Sequence, residues 1–263
     1  MYSFDFERPT TLADAVAALG KEEAQALGGG QTLIPTLKQR LASPSVLVSL
    51  SGIAEMKGVC VEDGAVNVGG GTTHATVARE AADSFPALAA LAGNIGDPAV
   101  RNRGTIGGSL ANNDPAACYP AAALGTGATI VTNNREIAAD DYFQGMFTTA
   151  LEEGEIITSV KLPIPEKAAY IKFEQPASRF ALVGVFVSKG ADGVRVAVTG
   201  ASEEGVHRWT AAEEALNGNF APEALDGLSV SADGMISDLH GSGAYRAHLV
   251  AVLTKRAVAQ ANG

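Results

Sequence analysis

Hydrophobic and polar positions near the start of the chain change their period several times. A short strand is predicted at YSFDF, and Leu12, Val16 and Leu19 then follow helical spacing behind Thr10 or Thr11, which can cap a helix. AQAL predicts a second strand that runs into three glycines, QTLIPTLKQRL a second helix, and SVLVSL a third strand. The first 55 residues therefore predict alternating strands and helices, with glycines at a strand-to-helix junction.

The next part of the chain favours antiparallel strands. Two alternating runs, VCVE and AVNV, flank Asp63 and Gly64, a dipeptide typical of a tight hairpin. Helical patterns follow over residues 76–82 and 86–95, and then a segment dense in turn residues, GDPAVRNRGTIGGSLANNDPAACYPAAAL. A hairpin is predicted around Asn133 and Asn134, and EIITSVKLP predicts a strand that prolines end.

After Pro165 the pattern predicts a β-meander, with Ala191, Asp192 and Gly193 as one of its turns. Two amphipathic helices, near 210–216 and 244–261, complete the chain. The fold class is therefore α+β in two packed domains. We place the domains at 1–165, with subdomains at about 1–55 and 56–165, and at 168–263.

Composition and charge exclude several classes of protein. With 263 residues, 46% of them hydrophobic and 18% charged, the chain can bury a continuous core. A net charge of −10 with no cluster of Lys and Arg argues against a nucleic-acid surface. The start lacks a signal-peptide pattern and no apolar run is long enough to span a bilayer, so we expect a cytoplasmic protein.

The cysteine and histidine content bears on metal binding. Cys60 and Cys118 cannot form a four-cysteine zinc or iron–sulfur site, so any redox metal is expected on another chain. The four histidines are scattered and lack the HExxH spacing of zinc enzymes, which predicts surface or supporting roles for them.

Two glycine segments are the candidate sites. Gly28, Gly29 and Gly30 follow a strand and precede a helix, where backbone N–H groups can form an anion-binding concavity suited to a pyrophosphate. The second segment, Gly104–Ser109 within RNRGTIGGSLANNDP, predicts another backbone cradle with a polar rim. An ordinary tight turn is the alternative for each. Neither segment matches GxGxxG or GxxxxGK[ST], which disfavours an ordinary Rossmann or P-loop site.

At these residues the sequence resembles the FAD-binding medium subunit of the molybdenum hydroxylases, the family of carbon monoxide dehydrogenase and xanthine dehydrogenase. The resemblance is carried by LGGGQTLIPTLKQRLA, VGGGTTHATVA, IGDPAVRNRGTIGGSLANNDPA and GEIITSVKLP, and it covers nearly the whole chain. It implies a two-part FAD-binding domain of the vanillyl-alcohol-oxidase (PCMH) type. A smaller C-terminal sheet-and-helix flavoprotein domain is implied after it.

The resemblance also implies FAD contacts, with the pyrophosphate between the two glycine segments. The residues it places at the cofactor are Leu27, Gly28, Gly29, Gly30, Gln31, Thr32, Leu33, Ile34, Ile95, Thr105, Ile106, Gly107, Gly108, Ser109, Asp114, Cys118, Ile157 and Lys172. Gln175 is an alternative to Lys172 at the flavin edge. Cys118 stands where relatives usually carry Asp or Glu, and Asp114 is a candidate substitute.

The resemblance further implies a division of labour between subunits. A large subunit would hold the molybdenum cofactor and a small subunit 2Fe-2S clusters, assembled as a dimer of heterotrimers. FAD on this chain would pass electrons to NAD, quinone or oxygen, so we nominate no catalytic side chain and no metal ligand here. Two alternatives are a self-sufficient FAD-dependent oxidase or dehydrogenase, and a binding module of the same fold without FAD.

Overall fold

Three β-sheets and a two-stranded hairpin organise the computed structural model, which describes residues 1–263. The strands are β1 (Asp5–Glu7), β2 (Ala24–Leu27), β3 (Val46–Ser49), β4 (Val59–Glu62), β5 (Ala65–Gly69), β6 (Thr129–Thr132), β7 (Glu136–Ala138), β8 (Phe143–Gly145), β9 (Thr148–Thr149), β10 (Ile157–Pro163), β11 (Lys167–Glu174), β12 (Ala181–Gly190), β13 (Gly193–Thr199) and β14 (His207–Arg208). The helices are α1 (Leu12–Leu19), α2 (Leu33–Lys38), α3 (His74–Glu80), α4 (Pro86–Gly93), α5 (Pro98–Arg101), α6 (Ile106–Asn112), α7 (Tyr119–Thr126), α8 (Ala139–Tyr142), α9 (Thr210–Gly218) and α10 (Gly243–Asn262).

The first sheet is parallel, in the order β1-β3-β2, and confirms the alternation predicted for the first 55 residues. Of the two threonines that could cap α1, Thr11 is the cap, because its side chain accepts a hydrogen bond from the N–H of Asp14. Pro35 lies in the first turn of α2, where its missing N–H costs nothing. The three glycines therefore connect β2 to α2, as predicted.

The second sheet is antiparallel, in the order β4-β5-β10-β6-β7. Asp63 and Gly64 join β4 to β5 with φ angles of +51° and +74°, the left-handed conformation that favours this dipeptide in hairpins. Asn133 and Asn134 join β6 to β7 and confirm the second predicted hairpin. Strand β10 is the central strand and pairs with both β5 and β6.

The third sheet is the predicted meander, in the order β11-β12-β13-β14. Helices α9 and α10 pack on it and coincide with the two predicted amphipathic helices. Helix α10 is 20 residues long, and no helix of the structure is long and apolar enough to cross a membrane.

The turn-rich segment is more helical than its sequence predicts, since α5 and α6 lie within it and α7 begins in it. Side chains of Asp97 and Thr105 cap the first two of these helices, by accepting from the N–H groups of Val100 and Gly108. Asn113 and Gly127, both left-handed, end α6 and α7. The second glycine segment is therefore the first turn of a helix.

Three hydrophobic clusters form the core. One lies under the first sheet. The largest, the central cluster, lies between the second sheet and helices α3, α4, α6 and α7, and the third, the C-terminal cluster, lies under α9 and α10. The largest cluster also contains Tyr170, Phe186 and Ala197 from the meander. Thr199 reinforces this junction, because its hydroxyl contacts the carbonyl oxygens of Pro115 and Ala117 at 2.7 Å each.

Candidate functional site

A cavity of about 860 Å³ lies where the first sheet, the α5–α7 segment and the β11–β12 connection meet. Of the predicted site residues, those lining it are Leu27, Gly28, Gly29, Gly30, Gln31, Thr32, Leu33, Ile95, Thr105, Gly107, Gly108, Ser109, Asp114, Cys118, Ile157 and Lys172. Residues up to 145 positions apart in sequence, from Leu27 to Lys172, thus line a single cavity. Its size is that of a large ligand site.

Three predicted site residues lie outside the cavity lining. Ile34 turns back toward the first glycine segment, because its Cδ1 lies 2.6 Å from where a β-carbon at Gly30 would be. Ile106 is 1% exposed and belongs to the central hydrophobic cluster. Gln175 is part of a local turn with Phe180, whereas Lys172, the other residue considered for the flavin edge, lines the cavity. The side chains of Ile34 and Ile106 therefore pack within the protein and do not line the cavity.

The first glycine segment has the free donors that anion binding requires. No hydrogen bond within the chain is donated by the backbone N–H groups of Gly28 to Thr32, and the side-chain amide of Gln31 folds back to the carbonyl of Gly29 at 3.3 Å. Gly30 has φ +74°, which lets the chain turn into α2. Five consecutive N–H groups on a cavity wall can bind an anionic ligand.

The second glycine segment differs from the cradle predicted for it. Its N–H groups bond within the protein: that of Gly107 to the carbonyl of Gly70, that of Ile106 to Thr72, and that of Gly108 to the hydroxyl of Thr105. Only Thr105 retains a backbone N–H with no acceptor. These N–H groups are therefore not available to a ligand, because they donate within α6 or to carbonyls of the β5–α3 connection.

Close packing of the two segments explains several glycines. A β-carbon at Gly29 would lie 2.0 Å from the carbonyl oxygen of Arg103, and one at Gly107 would lie 2.6 Å from that of Gly70. Glycine at these two positions therefore allows close backbone contact, of Gly29 with Arg103 and of Gly107 with Gly70. Gly108 is different, because a β-carbon there would meet only the Thr105 hydroxyl, at 3.0 Å.

Asp114 and Cys118 both line the cavity but differ in hydrogen-bonding capacity. One Asp114 oxygen accepts the N–H of Ala116 at 2.8 Å, the other has no partner in the chain, and burial raises the pKa of the carboxyl. Cys118 is buried beside Tyr170, and this burial raises the pKa of its thiol. Of the two residues, Asp114 is therefore the one with a free oxygen that can accept a hydrogen bond.

The cavity wall is cationic although the protein is acidic. Lys57, Lys172, Arg103 and Arg179 line it, against Asp114 and Glu155. Glu155 is not free, because Arg135 holds its carboxylate and lowers its pKa to about 2. Lys172 has a fully buried side chain and donates to the carbonyls of Asn94 and Arg179. It thereby ties the end of α4 to the β11–β12 connection.

Sequence reasoning missed several lining residues that no local motif indicates. Lys57, Arg103, Arg179 and Phe180 come from three different connections, since the last two both lie between β11 and β12. His74, predicted to have a surface or supporting role, is buried in the wall. No group of three or more His, Cys, Asp or Glu side chains is arranged to hold a metal ion.

Comparisons with known proteins agree with this architecture. Residues 2–165 match the family model described as the FAD binding domain in molybdopterin dehydrogenase. The chain is 35% identical to the carbon monoxide dehydrogenase medium chain of Afipia carboxidovorans, over 98% of this chain and 96% of that protein. It is also 35% identical to the nicotine 6-hydroxylase medium subunit of Paenarthrobacter nicotinovorans, over 97% and 96%.

A solved structure shows the same fold. The structure described as reconstituted CO dehydrogenase from Oligotropha carboxidovorans superposes with a TM-score of 0.89 at 32% identity, over 99% of this chain and 98% of that one. With a family model that matches most of its first 165 residues and relatives similar over nearly its whole length, the chain belongs to the FAD-binding medium subunits of the molybdenum hydroxylases.

Proposed function

We propose that this chain is the FAD-binding electron-transfer subunit of a heterotrimeric molybdenum hydroxylase, with its FAD in the 860 Å³ cavity. The observation that carries the proposal is the row of five unpaired backbone N–H groups from Gly28 to Thr32 on the cavity wall. A pyrophosphate needs many donors in one place and little Lys or Arg, and these N–H groups, which lie between β2 and α2, supply that arrangement.

Other residues of the cavity have complementary roles in this proposal. The unpaired Asp114 oxygen accepts from a hydroxyl of the ribityl or ribose part, Ile95 and Ile157 pack against the flavin ring, and Lys172 lies at its edge. Residues 1–165 form the FAD-binding domain and 168–263 the smaller C-terminal domain.

Bound FAD supplies the redox chemistry, by taking electrons from iron–sulfur clusters of a partner chain and passing them to an external acceptor. The protein holds the cofactor, shields it and fixes its orientation. We propose a large molybdenum-cofactor subunit and a small 2Fe-2S subunit as partners, a dimer of heterotrimers as the assembly, a cytoplasmic location, and NAD, quinone or oxygen as acceptor. Relatives of nearly equal length are medium chains and subunits, which disfavours a self-sufficient oxidase.

A titration of the full chain with flavins tests the proposal. We expect FAD to bind the flavin-free chain with micromolar or tighter affinity and riboflavin, which lacks the pyrophosphate, to bind at least about tenfold more weakly. Equal binding of the two would contradict the role of the Gly28–Thr32 N–H groups. No binding of FAD would favour the FAD-free binding module instead.

Isolation of the assembled protein tests the partners. A tagged chain is expected to copurify with two other chains, with a flavin absorption band and with molybdenum and iron in the complex. A colourless complex, or a chain that oxidises substrate without any partner, would overturn the assignment as an electron-transfer subunit.

A further inference from the structure

His74 lies in the wall of the cavity. It is the first residue of α3, follows the cap Thr73, and is only 5% exposed. Its backbone N–H donates to the carbonyl of Gly104 at 3.0 Å, and Thr73 forms a β-bridge with Thr105. The imidazole is therefore fixed beside the start of the second glycine segment.

The imidazole has no polar partner in the chain. Nδ1 is sealed from the surface without a hydrogen bond, Nε2 forms none either, and the ring packs against that of Tyr119 with centroids 5.3 Å apart. Burial, helped by the charge of Arg101, lowers the pKa of His74 to about 4, so the ring is neutral at pH 7. A neutral imidazole carries one N–H donor and one acceptor. Nδ1 is closed off from any ligand, whereas Nε2 is not among the sealed atoms and is the ring nitrogen that a ligand in the cavity can reach.

The neighbouring backbone makes room for this ring. A β-carbon at Gly104 would lie 2.4 Å from Nε2 of His74. Any side chain at Gly104 would thus displace the imidazole. His74 thus lines the cavity beside Gly104, and its Nε2 has no hydrogen-bond partner in the chain.

The second glycine segment retains a single free backbone N–H, that of Thr105, as described above. This wall therefore offers few backbone donors to a ligand. We propose that His74 is a positioning residue for the bound dinucleotide, to which its Nε2 hydrogen-bonds from this wall. The inference rests on FAD binding as the proposed function and adds a polar contact outside the predicted site residues.

Substitutions in the full chain test this role through FAD affinity. His74→Phe keeps a ring against Tyr119 and removes the nitrogens, so FAD binding to the flavin-free chain is expected to weaken about tenfold. His74→Gln restores a polar group and is expected to bind within about threefold of wild type. His207→Phe is the matched control, since His207 is half-buried and lies outside the cavity, and the FAD affinity of this variant should not change.

The outcomes separate this inference from the proposed function. If wild type fails to bind FAD, the proposed function fails. If wild type binds and His74→Phe binds equally well, or if His74→Gln is as weak as His74→Phe, the hydrogen bond is overturned.

A measurement on the wild-type chain does not depend on the fold of a variant. With ¹⁵N-labelled histidine, the Nε2 signal of His74 is expected to shift on addition of FAD, whereas the signals of His207 should stay in place. An unchanged His74 signal at saturating FAD would also overturn the proposal.

Discussion

Gly29 belongs to the first glycine segment and Gly108 to the second, and glycine is required at the two positions for different reasons. A β-carbon at Gly29 would lie 2.0 Å from the carbonyl oxygen of Arg103, so glycine at this position allows the two segments to pack closely. Gly108 is exposed to the cavity, and a β-carbon there approaches only the Thr105 hydroxyl. We therefore expect close approach to bound FAD at Gly108 rather than at Gly29.

This difference predicts two separable effects of alanine. Gly29→Ala should lower the stability of the flavin-free chain by on the order of 2 kcal/mol, because backbone must move to relieve the overlap, and should also weaken FAD binding. Gly108→Ala should weaken FAD binding while leaving the melting temperature of the flavin-free chain close to that of wild type. Thermal unfolding without flavin and FAD titration measure the two effects.

Gly218→Ala is the control for both variants, since no atom lies within 4 Å of a β-carbon there and its φ is not positive. It should change neither property. An unchanged melting temperature for Gly29→Ala would contradict the close packing of the two segments.

At the scale of elements, an ion pair holds the chain where it enters β10. Glu155 has a fully buried side chain and accepts from Arg135, from the hydroxyl of Thr132 and from the N–H of Glu152. These contacts fasten the β6–β7 turn to the residues just before Ile157, which lines the cavity. A carboxylate so well paired is expected to stabilise the native state.

Acid sensitivity follows from this pair. The pKa of Glu155 is lowered to about 2 from an ordinary 4.5, chiefly by Arg135, so its stabilisation is complete above pH 4.5 and is lost as the pH falls toward 2. Glu155→Gln should lower the free energy of unfolding at pH 7 by about 2 kcal/mol and make it less steeply dependent on pH between 4.5 and 2. Denaturant unfolding at several pH values measures this.

Glu152→Gln is the matched control, because Glu152 contacts the same Arg135 at 3.3 Å from a side chain that is 70% exposed. It should cost less than about 0.5 kcal/mol. If both variants lowered the free energy of unfolding equally, burial of Glu155 would not explain its contribution to stability.

At the scale of the whole molecule, β12 connects two cores. Phe186 packs into the central cluster against Phe85 and Tyr170, whereas its neighbour Val187 faces the C-terminal cluster, because successive side chains of a strand point to opposite faces. The central cluster lies behind Cys118, which lines the cavity. The meander thus contributes to the packing that supports the cavity.

Phe186→Ala is expected to destabilise the chain by about 3–5 kcal/mol and to weaken FAD binding, since it leaves a void behind the cavity wall. Val187→Ala should destabilise the chain by less and leave FAD affinity near that of wild type, because its void lies on the opposite face. Calorimetry and FAD titration on both variants test this. Equal weakening of FAD binding by both would contradict a separate role for the central cluster.

Local sequence accounts for most of the secondary structure, because turn chemistry acts over a few residues. Asp63 and Gly64 adopt the left-handed pair of angles that their hairpin needs, and Pro35 lies where a helix tolerates it. The sequence pattern does not predict α5 to α7, because the segment that contains them is dense in Gly, Pro and Asn, residues typical of turns. Caps at Asp97 and Thr105 and burial of α7 overcome that preference.

The sequence by itself determined the fold class, the family and the position of the first glycine segment at a strand-to-helix junction. Only the tertiary structure decided which N–H groups of the two segments are free, because hydrogen bonds from Gly107 to Gly70 and from Ile106 to Thr72 join residues far apart in the chain. It also decided that Gly29 meets Arg103 and that His74 lies unpaired in the cavity wall. Contacts of this kind depend on how distant elements pack, and local pattern carries no information about them.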